Sequence, residues 1–174
     1  MNIETIIKSN TFEYGFSKEV ELLIKINISL KSNLNLIKTT DKYCCVDYEL
    51  HDNTFENTSK KVNQNESAPV SASDNLILYI ELKSRRNISK FNTLIIGQTK
   101  LWNISKYTKK TILLWIDDVD YYYCFFDKKF LNYKYVWCNG KRVLPIPKTE
   151  ITLGTFETFM ELLNASQDAT LVAV

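Results

Sequence analysis

In the stretch LILYIELKS, residues 76–84, an acid and a lysine interrupt a run that otherwise reads as a buried strand. Glu81 and Lys83 are two residues apart, so on a strand both side chains leave the same face. Burying either charge alone is costly. A second acid, Asp47, breaks another apolar run in KYCCVDYEL, residues 42–50, between Val46 and Tyr48. If the two strands are neighbours, Asp47 and Glu81 meet at one edge. Two hard carboxylate ligands completed by water describe a Mg²⁺ or Mn²⁺ site. Such a site polarises a phosphate and lowers the pKa of a bound water. Lys83 would then position that water or counter the charge that develops on the phosphate. The plainer reading makes Glu81 and Lys83 a solvated pair on an edge strand, worth about 0–1 kcal/mol. It also makes Asp47 a strand-end acid facing water, a description that Glu49 suits equally.

The elements that must position these residues follow from spacing. Residues 17–31, SKEVELLIKINISLK, read as a helix started by Ser17, with Val20, Leu23, Ile24 and Ile28 at helical intervals. Residues 34–39 and 42–50 read as strands. Residues 51–75 turn polar and contain the first proline, which predicts a long mobile insertion rather than an element. The strand carrying Glu81 follows. Residues 92–107, NTLIIGQTKLWNISKY, are expected to form a helix capped near Asn92, with Leu94, Ile95, Leu101 and Trp102 on its buried side. Strands are then expected at 111–118, 121–127 and 133–139, a turn at 139–142 leading into VLPIP, and a short amphipathic helix at 155–164. The order predicts a mixed α/β (α+β) domain with one central mixed sheet flanked by helices. With 174 residues, a single domain spanning 1–174 is expected.

The arrangement VDYEL…ILYIELKSR, an acid on one strand and E-x-K at the end of the next, resembles the PD-(D/E)XK nuclease superfamily over roughly residues 12–118. That superfamily has a core of helix, three strands, helix and strand, and its members are metal-dependent phosphodiesterases. The resemblance implies Asp47 and Glu81 as ligands of Mg²⁺ or Mn²⁺, Lys83 as the catalytic lysine, and nucleic acid as the substrate. Some members, such as archaeal Holliday-junction resolvases, add a glutamate from the first helix after a glycine. YGFSKEVELL offers Glu19 for that role, with Glu21 as its competitor. Many members carry a polar residue on the second helix, where IIGQTKLW offers Gln98 and Lys100. Two features depart from the pattern: Val46 stands where a proline often precedes the first acid, and the gap from Asp47 to Glu81 is long for a hairpin. Resolvase-like and restriction-like members are often dimers, so a homodimer is a further expectation. The alternative is the same fold used without catalysis, as a nucleic-acid-binding or protein-interaction module.

Composition bounds the rest. The formal net charge is +2, so contact with nucleic acid would need a local basic patch. Arg85 and Arg86, followed by Lys90, Lys100, Lys106, Lys109 and Lys110 with Trp102 and Tyr107 between them, offer one. Ordinary helix solvation explains the same run. The four cysteines, Cys44, Cys45, Cys124 and Cys138, form no C-x-x-C pair and accompany one histidine, His51, which argues against zinc. They read as buried thiols of a reducing compartment, and His51 as a surface residue where the polar insertion starts. Tyr121, Tyr122, Tyr123, Phe125 and Phe126 read as strand core, and Asp117, Asp118 and Asp120 as a turn. No apolar run is long enough to span a bilayer and no signal pattern opens the chain, so a soluble intracellular protein is expected. The bias toward Asn, Lys, Ile and Tyr is that of an AT-rich genome and would suit a viral or mobile-element protein.

Overall fold

The computed structural model describes residues 17–39, 46–54, 75–85, 87–117 and 119–166. Helix α1 (residues 17–29) leads into β1 (Leu34–Lys38), β2 (Tyr48–Asp52) and β3 (Leu76–Ser84). Strand β4 (Thr93–Gly97), helix α2 (Gln98–Ile104), β5 (Thr111–Ile116) and β6 (Tyr121–Phe125) follow. Next come β7 (Val136–Cys138), β8 (Lys141–Pro147), β9 (Thr152–Gly154) and helix α3 (Phe156–Ala165). Six strands form a mixed sheet in the order β1-β2-β3-β5-β6-β9. β3 and β5 run parallel, joined through α2, and every other pair in that sheet is antiparallel. A second, antiparallel sheet has the order β4-β8-β7.

The two faces of the large sheet carry two cores. Leu78, Ile80 and Leu82 of β3, with Ile112, Leu114 and Ile116 of β5, pack against Leu22, Ile26 and Leu30 from α1 and against Phe159, Met160 and Leu163 of α3. On the other face, Leu113 and Trp115 meet Leu101 and Ile104 of α2 and Leu94, Ile96, Leu144 and Ile146 of the small sheet. β5 is buried along its whole length because it is covered on both sides. Period-two alternation therefore sends Leu78, Ile80 and Leu82 of β3 toward α1, and Glu81 and Lys83 toward α2. The helix α3 is held at its start by a reciprocal cap between Thr155 and Thr158.

Several expectations change at this level. Residues 93–97 are a strand, not the first turns of a helix. Leu94 and Ile96 alternate into the core and pair with Ile146 and Leu144, and Gly97 ends the strand where α2 begins. β2 starts at Tyr48, so Asp47 lies just before the strand rather than inside it, and His51 belongs to β2 instead of the polar insertion. His51 pairs there with Glu49 at 3.0 Å. Cys124 and Cys138 are half-buried free thiols rather than fully buried ones, and burial pushes the Cys124 thiol up to about 12. Cys44, Cys45, Arg86, Asp118, most of the polar insertion and the apolar C-terminal tail lie outside the described residues. Asp117 caps a turn as expected, its Oδ1 accepting from the Val119 and Asp120 amides at 3.0 and 2.9 Å. Asn139 and Gly140, both at positive φ, make the two-residue turn between β7 and β8. Among the described residues no helix is long and apolar enough to cross a membrane.

Phe159 is fully buried between α3 and the sheet and touches the rings of Tyr121 and Tyr123. Phe159→Ala is expected to lower the unfolding free energy by about 3–5 kcal/mol, measured by urea titration. A loss under about 1 kcal/mol would mean that this helix does not complete the core.

Candidate metal-dependent active site

Glu81 has the most demanding environment. It sits in β3 with 1% of its surface exposed, paired in register with Leu113 of β5. Among the described residues, no well-directed hydrogen bond reaches either carboxylate oxygen. Two lysines counter the charge instead. Lys83, two residues on along the same strand face, meets Glu81 Oε1, and Lys100 Nζ lies 2.6 Å from Oε2. Burial nonetheless dominates. It pushes the Glu81 carboxyl up to about 7, with Lys83 opposing, Asp47 adding and Lys100 opposing.

Asp47 reaches the same point from the position just before β2. Its backbone N–H donates to the Ile80 carbonyl at 3.0 Å, which extends the β2–β3 ladder by one step. Its Oδ2 accepts from the Leu82 N–H at 2.8 Å, between Glu81 and Lys83, and its Oδ1 lies 3.7 Å from Lys100 Nζ. Lys100 therefore stands between two carboxylates. Burial pulls its ammonium down, but Glu81 and Asp47 outweigh burial and hold it above the ordinary lysine value. Helix α2 makes this possible. The strand–helix junction at Gly97–Gln98 brings the first turn of α2, with Lys100, over the end of β3.

Glu19 approaches from α1. Its carboxyl is raised by burial first and by Asp47 second, and Lys38 lies 3.9 Å away. Glu21 pairs instead with Lys18 at 3.4 Å. Of the two helix carboxylates weighed from sequence, Glu19 is thus the one near Asp47. Tyr48 adds its hydroxyl 3.5 Å from the Glu19 carbonyl oxygen, and burial, Glu19 and Asp47 push that phenol up.

The structure therefore brings together Asp47, Glu81, Lys83 and Lys100, with Glu19 at the margin. Gln98 opens α2, and among the described residues no hydrogen bond joins it to this group. Arg85 is exposed after β3 and donates to the Ser84 carbonyl at 3.4 Å. Lys100 is part of the charged centre itself, not of a basic surface beside it. Two participants escaped the sequence reading: Lys38, whose pairing with Glu19 depends on how β1 crosses α1, and Tyr48, which reads as a core aromatic.

The donor set suits a hard divalent cation, because two carboxylates already converge on one positive charge. Among the described residues, no three acid, histidine or cysteine side chains stand close enough together to hold a metal ion as placed. Lys100 occupies the space between Asp47 and Glu81, so a metal would have to displace its ammonium. Compared with known proteins, the chain matches no family model, no curated protein and no solved structure.

Between about pH 4.5 and 7 the native protein keeps a proton on Glu81 that the unfolded chain has released. The contribution of Glu81 to stability therefore falls as pH rises through that window. In a chelator-containing buffer, the unfolding free energy should drop by about 1–3 kcal/mol between pH 5 and 8. Glu81→Gln should remove most of that slope. Equal slopes in the two proteins would mean that Glu81 is not the strained group.

Proposed function

We propose that the protein is a Mg²⁺- or Mn²⁺-dependent nuclease that hydrolyses phosphodiester bonds of nucleic acid. One observation carries the reading: a carboxylate buried in the central sheet at 1% exposure, met by a second acid and two lysines from three different elements. Such a group costs several kcal/mol to bury, and an apolar side chain at the same place would pack without that cost. Strained ionisable clusters of this kind concentrate at functional sites.

In this reading Asp47 and Glu81 hold the cation, and Glu19 is the nearest further acid. A divalent cation held there supplies a polarised phosphoryl oxygen and a water of lowered pKa. Lys83 orients the attacking water and counters the charge that grows on the phosphoryl oxygens. The Asp47 carboxylate is anchored by the Leu82 amide, so it presents its other oxygen to the site. Lys100 is the resident counter-ion of the two carboxylates and would become a second positive group for the phosphate once released from them.

The same lysines favour a second reading. Lys83 and Lys100 already balance Glu81 without any metal, as a non-catalytic binding module of this fold would require. Metal dependence separates the two. Under the nuclease reading, Mn²⁺ at millimolar concentration raises the thermal midpoint of the wild type and not that of Glu81→Ala. Lys83→Ala keeps that stabilisation but lowers the cleavage rate on a mixed panel of DNA and RNA substrates about 10²-fold or more. A panel on which Glu81→Ala and Lys83→Ala cleave like wild type would exclude the proposed roles.

Lys100 gives a separate check. At pH 8, Lys100→Met is expected to be destabilised without metal and to gain more stability from Mn²⁺ than the wild type gains. An equal or smaller gain would mean that the ammonium does not compete for the cation position.

A further inference from the structure

A second concentration of positive charge lies away from this centre. Residues 128–149 contain six basic side chains, Lys128, Lys129, Lys134, Lys141, Arg142 and Lys148, and no acid. That exceeds the net charge of +2 for the whole chain, so the remainder is net acidic. Two of the six are engaged within the fold: Lys129 pairs with Glu150 at 3.1 Å, and Lys148 donates to the Ile88 carbonyl at 2.8 Å. Lys134, Lys141 and Arg142 are exposed on and beside the β7–β8 hairpin. Trp137, the central residue of β7, is 74% exposed and lies directly across from Arg142. The Arg142 guanidinium lies 5.7 Å from the centre of the Tyr135 ring.

The hairpin is an extension of a packed element. Alternation along β8 puts Arg142 on the face that carries Leu144 and Ile146 into the core, so this face runs on past the body of the protein at its hairpin end. The Asn139–Gly140 turn fixes the register, so the overhang is a braced platform. An exposed indole among lysine and arginine side chains has a specific chemical fit. Its ring offers a flat face to an unstacked base, and its cationic neighbours match successive phosphates. A duplex keeps its bases stacked and has no free ring to offer. An acidic peptide would satisfy the charges but would leave the indole face without a planar partner.

We infer that the β7–β8 hairpin is a binding platform for single-stranded nucleic acid, with Trp137 stacking on a base and Lys134, Lys141 and Arg142 contacting the backbone. The choice of nucleic acid over another polyanion rests on the proposed nuclease activity, and the platform adds the strandedness of the partner. Binding is read without catalysis, by fluorescence anisotropy of a labelled 20-nucleotide oligothymidylate or oligouridylate in chelator, with the full chain. Wild type is expected to bind the single strand and to be displaced poorly by a duplex of equal length or by polyglutamate. Trp137→Ala should weaken binding about tenfold, because one stacked base is lost. The double change Lys141→Ala with Arg142→Ala should weaken it further at low salt and reduce the log–log salt slope by about 0.7 for each phosphate contact removed. All three positions are exposed, so the fold should tolerate the changes, which near-wild-type thermal midpoints would verify. The inference is overturned if these variants bind like wild type, or if duplex or polyglutamate competes as well as the single strand. If wild type binds the single strand and the hairpin variants bind it weakly, but no metal-dependent cleavage is found, the nuclease reading fails and the platform stands.

Discussion

The structure depends on the burial of one carboxylate. Glu81 occupies a central position of the sheet, where its neighbours Ile80 and Leu82 are almost completely covered. Its charge is tolerable only because two lysines reach the same point. Lys83 comes from its own strand, Lys100 from the first turn of α2, and Asp47 fixes the approach of β2 through the Leu82 amide. Moving α2 by one residue would take Lys100 from a buried charge, which costs several kcal/mol, and moving β2 would break the Asp47 bond to the Leu82 amide. The register of β2 against β3 and the placement of α2 are thus tied to the chemistry of the site as well as to packing.

The layering explains how the charged centre coexists with two apolar cores. α1 and α3 cover one face of the sheet, while α2 and the small sheet cover the other. Because β3 alternates, Leu78, Ile80 and Leu82 go to the face covered by α1 and α3, and Tyr79, Glu81 and Lys83 go to the α2 face. The parallel β3–β5 pair then needs a crossover, and that crossover carries Lys100 over the strand end. The Lys100 ammonium, drawn above its usual range by Glu81 and Asp47, reports the same convergence of negative charge as the raised Glu81 carboxyl.

Much of this was legible in the residues. Glu81 and Lys83 stand out because charges two apart in LILYIELK must share a face, and the order of helix, three strands, helix and strand around them holds within the large sheet, with β4, a strand of the small sheet, inserted before the second helix. Asp47 was legible as an acid in an apolar run, although its position just outside β2 follows from a ladder that one sequence does not display. The stretch 92–97 was misread because TLIIG has apolar residues that fit a helix as well as a strand. Only its pairing with β8, a strand some 50 residues later, decides the matter. Lys100 was legible as polar and near the site, but its role as counter-ion depends on how far α2 reaches over β3. The exposed Trp137 was unreadable for a similar reason: VWC has the pattern of a buried strand, and only the overhang of the hairpin leaves its indole in solvent.

The central claim is that Asp47 and Glu81 form a cation site in which the Lys100 ammonium gives way to a metal. A crystal structure of the protein grown in Mn²⁺, with anomalous scattering recorded for manganese, tests it most directly. The account predicts a manganese peak between the Asp47 and Glu81 carboxylates, with the Lys100 side chain turned away from both. No peak at that position, with Lys100 still bridging the two acids at saturating Mn²⁺, would contradict it.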